Sequence, residues 1–340
     1  MSELRDLEVT AALLDAYGAP PKPSPHRLPE PGPGQVLVRV TAAPIAPLDL
    51  LCATGTSYFG PPPLPYVPGV QGVGVAVRGG SLEPGTRVWF GTDAGMRPGD
   101  GSLAEASVVD EEQLVPLTAE LPDADVAALG LSGVAAWMAL TSRGQLRPGE
   151  RVLVLGAGGV VGQVAVQAAV ALGAGTVVAA SRRPGARDRA LRRGAGAVVD
   201  LADADVDELE ARMRAATGGQ VDLVVDPVCG DASTAALRLL AEHGRLVNLG
   251  SSGGPSASFS SAALRSGSQS ILGYTNNALT LRQRADALAA VLELAASGRC
   301  VVEAERFALT DVASAWTRAG EGPDGRVVVQ PAPSSVVIKE

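Results

Sequence analysis

The sequence predicts an α/β fold in which a parallel sheet with crossover helices is inserted into a β-rich domain. Short apolar runs separated by Pro and Gly fill the chain to about residue 130, where strand-then-helix units replace them. Strands that alternate with helices are typical of a parallel sheet, whereas short strands with many turns are typical of an all-β domain. The C-terminal GRVVVQP again predicts a strand. We expect domains over residues 1–130, 131–273 and 274–340, the last being a return to the first.

Composition excludes several classes of protein. The 340 residues are enough for about two domains, and 46% apolar with 19% charged residues excludes a disordered chain. A net charge of −8 gives no general attraction to phosphate backbones or anionic lipid, so we expect neither nucleic acid nor a membrane as partner. The uncharged run Val152–Ser181 holds four glycines in its first half, which favours a strand, turn and helix over a membrane span.

Targeting and redox features predict a cytoplasmic protein. The N-terminus has no basic segment followed by an apolar stretch, which is the pattern of a signal peptide. Cys52, Cys229 and Cys300 lie far apart without a CxxC pair, so the chain predicts neither a disulfide framework nor a four-thiolate zinc site. Unpaired cysteines favour a reducing compartment.

The elements of the first domain are short strands. Apolar alternation and β-branching predict strands within Gln35–Ala43, Val67–Gly80 and Thr86–Gly91. The PGPG and EPG breaks favour antiparallel or barrel-like pairing of these strands. We therefore expect this part of the chain to be all-β.

The elements of the second domain alternate. A turn follows each of the predicted strands ERVLVLG, GTVVAAS, GAVVD, VDLVVDPV and GRLVNLG, and a helical stretch follows most of them. This order predicts a parallel sheet with right-handed crossovers. After a last strand that ends in Ile271, Leu272 and Gly273, the spacing of apolar residues predicts a helix over Thr280–Ser297.

A glycine turn after the first of these strands predicts a dinucleotide site. In LVLGAGGVVGQVAVQAAVALGA, the glycines Gly156, Gly159 and Gly162 permit close approach of a ligand to the backbone. The helix that begins with Val160 and Val161 offers free N–H groups to a pyrophosphate. The second strand, TVVAAS, follows at the distance that a dinucleotide-binding fold requires. The alternative is a structural glycine turn.

The end of the second strand indicates which cofactor binds. An acid there would hydrogen-bond the free ribose hydroxyls of NAD, but this strand ends in Ser181, Arg182 and Arg183. A hydroxyl group and guanidinium groups favour an anionic 2′-phosphate, so we expect NADPH. The alternative is a pair of solvated arginines at a strand end.

Further candidates end the later strands, at the carboxyl edge where open α/β sheets bind ligands. Backbone groups of Asn248, Gly250 and Ser251 are candidates for holding the carboxamide of the cofactor, and Tyr274 ends the last strand.

Six strings of the chain follow one another in the order of a known family. They are PIAPLDLLCATG, PYVPGVQGVGVAV, GSLAEASVV, ALGLSGVAAWMAL, RPGERVLVLGAGGVVG and VDLVVDPVCG. On these strings the chain resembles the medium-chain dehydrogenase/reductase superfamily, and within it the zinc-independent quinone oxidoreductase (zeta-crystallin-like) and enoyl reductase branch. The resemblance covers nearly the whole chain and implies a Rossmann-type NADP-binding domain inserted in a GroES-like catalytic domain. It also implies a homodimer, in which the edge strand GSQSILGY pairs across a two-fold axis.

The resemblance implies a site without the catalytic zinc of the alcohol dehydrogenases in this superfamily. Their ligand positions correspond to Ala46, Val70 with Gln71, and Leu129, none of which offers a thiolate or an imidazole. Without a Lewis acid, a substrate already activated by conjugation is favoured, either a quinone or an α,β-unsaturated ketone. The branch usually has Asn at Ala46 and Glu at Gln71, and some enoyl reductases place a Tyr donor at Pro47. We therefore expect protonation by water or by another tyrosine.

The polar residues expected in the substrate cleft are few. Tyr58 lies where the family has an aromatic side chain near the nicotinamide, and the alternative role of Tyr58 is packing against Phe59. The other catalytic candidates are Gln71, Ser132 and Tyr274. The resemblance also makes Asp226 a neighbour of the nicotinamide ribose, although Asp before Pro equally starts a turn.

The expected function is reduction of a conjugated carbonyl or quinone by an NADPH-dependent, zinc-free enzyme. Two alternatives stay open. One is a protein that holds NADPH without turnover, and the other is an alcohol or polyol dehydrogenase that works without metal.

Overall fold

The computed structural model describes residues 7–332, which divide into two compact units. The first unit consists of the residues as far as Gly130 together with those from Glu303 onward. The second unit is Leu131–Val302.

The N-terminal part of the first unit is a series of short strands with one early helix. Its elements are β1 (Leu7–Leu13), β2 (Lys22–Leu28), β3 (Gln35–Pro44), α1 (Pro47–Ala53), β4 (Gln71–Gly79), β5 (Arg87–Gly91), β6 (Ala106–Asp110), β7 (Leu114–Pro116) and the start of α2 (Asp123–Met138). Helix α1 is an exception to the all-β expectation. It forms because Pro47 suits the first helical position and the Asp49 carboxylate accepts the Ala46 N–H at 2.7 Å.

The second unit alternates strands and helices. Its elements after α2 are β8 (Arg151–Val154), α3 (Val160–Ala171), β9 (Thr176–Ser181), α4 (Pro184–Arg192), β10 (Ala197–Asp200), α5 (Val206–Thr217), β11 (Val221–Asp226), α6 (Gly230–Leu237), β12 (Leu240–Asn248), α7 (Ser261–Ser266), β13 (Ser270–Gly273) and α8 (Leu281–Ala296). The helix predicted over 280–297 is confirmed as α8. The Thr280 hydroxyl accepts the Gln283 N–H at the start of α8, and Ser297 ends it.

The C-terminal elements return to the first unit. They are β14 (Ala304–Ala308), α9 (Val312–Gly320) and β15 (Arg326–Gln330). A seven-stranded sheet has the path β14-β15-β3-β4-β5-β7, with β6 also paired to β3, while β1 and β2 form a separate antiparallel pair. The predicted last strand is β15, which pairs antiparallel with β3. The largest side chains buried in this unit include Trp89, Phe90, Leu37 and Leu103.

The sheet of the second unit is parallel. Its six strands have the order β10-β9-β8-β11-β12-β13, so β8, the first strand of this unit, lies near the centre and the order reverses beside it. This is the order of dinucleotide-binding folds, which bind ligands at the reversal point. The core of this sheet includes Leu153, Leu155, Val178, Val224 and Leu246. The predicted fold class, a Rossmann-type sheet with a β-rich domain, is confirmed.

Two features of the fold differ from the prediction, namely the residue at which the chain returns to the first unit and the length of the edge strand. The return predicted at residue 274 begins at Glu303, because α8 packs against α3 and belongs to the second unit. The long edge strand expected from GSQSILGY is shorter, since β13 consists of only four residues and pairs with β12 on one side.

Helix α2 and the turn that follows it form one long apolar helical run. Residues 123–143 form the one helical run within 7–332 that is long and apolar enough to cross a membrane, and 78% of its apolar window is buried inside the protein. Gly130 has a non-helical backbone (φ 21°, ψ −129°), and a π-helical turn, Ala139–Arg143, follows α2. The run is therefore two core helical segments joined at a glycine.

Candidate functional site

The glycine turn between β8 and α3 lies at the reversal point of the parallel sheet. Leu155 donates its N–H to Val225, and Ala157 donates its N–H to Ala180, so backbone bonds to both neighbouring strands hold the turn. Gly156 has a positive φ of 65°, which favours glycine. A Cβ atom at Gly162 would overlap the carbonyl oxygen of Gly156, so this glycine permits close packing of helix on turn.

The N-terminus of α3 has the form of a pyrophosphate site. Gly159 occupies the N-cap position and has no side chain to cap the helix. The N–H groups of Val160, Val161 and Gly162 belong to the first turn, where the helix itself supplies no acceptors. A Cβ atom at Gly159 would have its nearest neighbour 3.7 Å away, at the Gly156 oxygen, so the side of the turn at Gly159 is open. These features fit the pyrophosphate of a dinucleotide.

The end of β9 brings Ser181 and Arg183 to the same turn. The Arg183 guanidinium donates to the Gly158 carbonyl at 3.0 Å, and the Arg183 N–H donates to the buried Ser181 hydroxyl at 3.3 Å. A Cβ atom at Gly158 would lie 3.0 Å from Arg183 Nη2 and 3.1 Å from Ser181 Oγ. Arg182 is exposed. Ser181 and Arg183 therefore adjoin the glycine turn, whereas Arg182 faces solvent.

Asp226, at the end of β11, is engaged on both carboxylate oxygens. Oδ1 accepts the N–H groups of Val228 and Cys229 at 2.9 and 2.8 Å. Oδ2 accepts the Ser233 hydroxyl at 2.7 Å and the Asn248 amide at 2.9 Å. The side chain is buried, so it starts the turn after β11, as in the second of its predicted alternatives.

A second network follows at the ends of β12 and β13. Asn248 also donates to the Gly250 carbonyl at 3.0 Å, and the Tyr274 N–H donates to the Asn248 carbonyl at 2.9 Å. The Tyr274 hydroxyl donates to Asn276 Oδ1 at 2.6 Å, while Asn276 Nδ2 donates to the Leu131 carbonyl at 3.0 Å. Burial raises the pKa of Tyr274 well above its ordinary value, and Arg284 opposes this effect. Asn276 was not a sequence candidate.

The remaining cofactor candidate at this edge is Ser251. It follows Gly250 and is exposed. A Cβ atom at Gly250 would approach the Pro227 carbonyl oxygen to 2.7 Å, so the loops after β11 and β12 pack closely. The structure thus brings Asp226, Asn248 and Gly250 together.

The catalytic candidates belong to two different units and differ in exposure. Tyr58 is 81% exposed and its ring lies 4.1 Å from that of Phe59, which corresponds to the loop-packing alternative. Gln71 is fully buried, and its Oε1 accepts the Trp89 indole N–H at 3.0 Å. Ser132 is partly exposed in the second unit, whereas Tyr58 and Gln71 belong to the first.

Sequence reasoning missed two buried charged side chains in the first unit, Asp49 and Arg326, which interact electrostatically. Asp49 accepts the N–H groups of Ala46, Gly69 and Val70 at 2.7, 3.1 and 2.9 Å. Burial raises the pKa of Asp49 to about 6, against the lowering effects of these N–H groups and of Arg326. Burial lowers the pKa of Arg326 to about 10, and Asp49 opposes this effect. An acid two residues after Pro47 was the available signal, since it suits a helical first turn.

The expected zinc positions hold hydrophobic or amide side chains. Ala46, Val70 and Leu129 are buried and have no metal-binding atoms in their side chains. The Gln71 side chain already accepts a hydrogen bond from Trp89. Within residues 7–332, His, Cys, Asp and Glu side chains form no group of three or more that could hold a metal ion.

The fold and the glycine turn define a protein of the dinucleotide-binding dehydrogenase class. The family model described as zinc-binding dehydrogenase matches residues 160–296, and the model described as alcohol dehydrogenase GroES-like domain matches residues 32–122. An alcohol dehydrogenase of Rhizobium meliloti (strain 1021) is 32% identical over 271 residues, which are 72% of this chain and 77% of that protein. The chain belongs to the medium-chain dehydrogenase/reductase superfamily of oxidoreductases, and the predicted family is confirmed.

Other relatives have reductase names. Quinone oxidoreductase-like protein 2 of Rattus norvegicus is 31% identical over 237 residues, which are 68% of this chain and 65% of that protein. The mitochondrial enoyl-[acyl-carrier-protein] reductase of Homo sapiens is 32% identical over 220 residues, which are 63% of this chain and 57% of the reductase. The crystal structure of a Pseudomonas syringae quinone oxidoreductase is 26% identical, covers 95% of this chain and 100% of its own, and has a TM-score of 0.81.

Proposed function

We propose that the protein is an NADPH-dependent, zinc-free reductase of conjugated carbonyl compounds or quinones. The observation that carries this proposal is a pair of features in one chain. The glycine turn with Ser181 and Arg183 beside it fits a phosphorylated dinucleotide. By the resemblance, Ala46, Val70 and Leu129 correspond to the zinc-ligand positions of related dehydrogenases, and their side chains have no atoms that could bind a metal to polarise an isolated carbonyl. Relatives named quinone oxidoreductase-like and enoyl reductase support the same reaction class.

The chain contributes binding and orientation more than acid chemistry. The bound nicotinamide supplies the hydride, and the conjugation of the substrate supplies its electrophilic carbon. Tyr274 directs its hydroxyl proton to Asn276, and burial raises its pKa, so it is a weak proton donor. Tyr58 is mostly exposed. Protonation by water is therefore part of the proposal.

The proposal includes a homodimer that acts in the cytoplasm. β13 is an edge strand, with β12 as its neighbour in the sheet, and Ile271 on it is 42% exposed. Pairing of two such edges would cover it, so we include a homodimer in the proposal. A monomeric mass by light scattering at micromolar concentration would contradict the dimer. The acidic net charge and unpaired cysteines support a cytoplasmic enzyme acting on small molecules.

The deciding experiment is NADPH oxidation with a panel of quinones and enones of graded size. We expect turnover with at least one conjugated substrate, no dependence on added zinc, and no loss on chelation. The Tyr58→Phe and Tyr274→Phe enzymes should each lose no more than about ten- to a hundred-fold in turnover, the lower part of the range for a general acid. NADPH binding without turnover across the panel would contradict the proposal and favour a binding protein.

A second candidate is an alcohol dehydrogenase that works without metal. The Rhizobium meliloti relative, named alcohol dehydrogenase and matched over 77% of its length, favours it. NADP⁺ reduction driven by simple alcohols, without reduction of conjugated substrates, would replace the leading proposal with this one.

A further inference from the structure

Arg187 of helix α4 contacts the end of strand β9, where the 2′-phosphate site is predicted. Its Nη1 atom donates to the backbone carbonyls of Ser181 and Arg182 at 2.9 and 3.1 Å. The same nitrogen lies 2.8 Å from Oδ1 of Asp200. The Arg187 side chain is only 17% exposed, so this ion pair is held close to the protein. Arg187 therefore contacts both the strand end and a carboxylate.

The carboxylate comes from the neighbouring strand. Asp200 is the last residue of β10 and pairs in register with Ser181, the last residue of β9. An acid at the end of β9 would select NADH, because it repels a 2′-phosphate and hydrogen-bonds free ribose hydroxyls. The sequence of β9 has no such acid, yet the fold places one beside the same position. The negative charge of Asp200 must therefore be neutralised if the 2′-phosphate of NADPH is to bind nearby.

Arg187 is the cation that faces this carboxylate. A second arginine, Arg212 of α5, donates to the backbone carbonyl of Asp200 and pairs with Glu208, so its contact is with the main chain of Asp200. The Asp200 carboxylate also accepts the Ala202 N–H at 2.9 Å. The ion pair with Arg187 is thus the contact that offsets the charge of Asp200.

We propose that the Arg187–Asp200 pair determines the preference for a 2′-phosphorylated cofactor. Arg187 is a positioning residue that neutralises Asp200 and holds the carbonyls of Ser181 and Arg182 away from the ligand. The bound phosphate would then meet Ser181, Arg182 and Arg183 at the strand end, where the Arg183 guanidinium already donates to the Gly158 carbonyl. The inference rests on the proposed use of NADPH and deepens it, because it adds a specificity residue that the strand-end motif does not contain.

The test separates the charge of Arg187 from its packing. Arg187→Gln keeps a hydrogen-bond donor and removes the charge, and Asp200→Asn removes the opposing charge. We expect Arg187→Gln to weaken NADPH binding about ten-fold while NADH binding changes less than about two-fold, since the unmasked carboxylate repels only the extra phosphate. The double variant should regain NADPH affinity to within about three-fold of the wild type.

The measurement is the Kd from fluorescence or calorimetric titration, with NADPH, NADH, 2′,5′-ADP and 5′-AMP as probes. The fragments 2′,5′-ADP and 5′-AMP differ only in the 2′-phosphate, so their ratio should follow that of NADPH and NADH. Arg192→Gln, an exposed position on the same helix, is the matched control and should change neither ratio. The effect of Arg187→Gln should shrink as salt is raised, because screening weakens the repulsion.

A purely structural role of Arg187 predicts a different pattern. The single variant would then weaken all four probes alike, and Asp200→Asn would not rescue it. That result, or an unchanged ratio of 2′,5′-ADP to 5′-AMP affinity, would overturn the inference. Failure of the reductase panel with this binding pattern intact would instead contradict the proposed reaction and leave the specificity pair standing.

Discussion

The buried carboxylate of Asp49 gives the first unit a pH dependence opposite to that of most carboxylates. Asp49 is 2% exposed and accepts three backbone N–H groups, from Ala46, Gly69 and Val70. Burial is the largest effect on its pKa and raises it from 3.8 to about 6, although those N–H groups and Arg326 oppose the rise. The folded carboxyl therefore holds its proton more tightly than the unfolded chain does.

The sign and size of the effect follow from this difference. Stability due to proton binding is fully present below the unfolded pKa of 3.8 and is lost as pH rises through the folded value of about 6. A difference of about two pKa units corresponds to roughly 3 kcal/mol. Asp49→Asn cannot titrate. The free energy of unfolding of the wild type, relative to this variant, should fall by up to about 3 kcal/mol between about pH 4 and about pH 7.

The assay is urea unfolding at half-unit pH steps, followed by tryptophan fluorescence. Trp89 is fully buried in the first unit and reports its unfolding. The control is Asp15→Asn, at an exposed residue that pairs with Lys22 on the surface, and its free energy of unfolding should stay within about 1 kcal/mol of the wild type throughout. A stability difference between wild type and Asp49→Asn that stays flat or rises from pH 4 to 7 would refute the reasoning.

Three further predictions concern the turn, a strained residue and a partly buried ion pair. Gly159→Ala should leave thermal stability unchanged, because the nearest atom to its Cβ is 3.7 Å away, but weaken NADPH at least about ten-fold in a titration by obstructing the pyrophosphate. Cys229 has φ 60° and ψ −161°, so Cys229→Gly should raise the free energy of unfolding by about 1 kcal/mol, whereas Cys229→Ala should not. Arg245 binds both Glu150 oxygens at 2.9 and 2.6 Å and is 13% exposed, so Arg245→Met should cost about 3–5 kcal/mol in urea unfolding. Arg282→Met, at a 92% exposed residue, should cost less than about 0.5 kcal/mol.

Local patterns predict the parts of the fold that depend on local physics. The α8 helix could be placed because its apolar spacing and Thr280 both act within one element. The glycine turn could be placed because strand, turn and helix are consecutive in the chain. The sequence pattern did not predict helix α1, because its seven residues are too few to show helical periodicity. The sequence pattern also did not predict that the chain re-enters the first unit at Glu303. This boundary depends on the packing of α8 against α3, a contact between distant parts of the chain.

The candidate site shows the same division between local and distant contacts. Ser181 and Arg183 could be proposed together because they lie within three consecutive residues where β9 ends and α4 begins. Asp200 was missed because it reaches Ser181 only through pairing of two strands. Gln71 was counted as a cleft residue from its position in the sequence, yet its bond to Trp89 and full burial place it in the interior. Polarity alone does not reveal whether a side chain is exposed to a ligand.

The polar side chains at the carboxyl edge of the parallel sheet are largely occupied in holding loops. Asp226 uses both oxygens to hold the turn after β11, and Asn248 donates to that carboxylate and to Gly250. Tyr274 donates its hydroxyl proton to Asn276. Because these groups already have partners, binding a ligand at this edge does not require them to give up water and then to be reordered. Such an edge suits chemistry in which a bound cofactor supplies the reactive atom and the protein supplies a fixed surface, which is the division of roles that we propose.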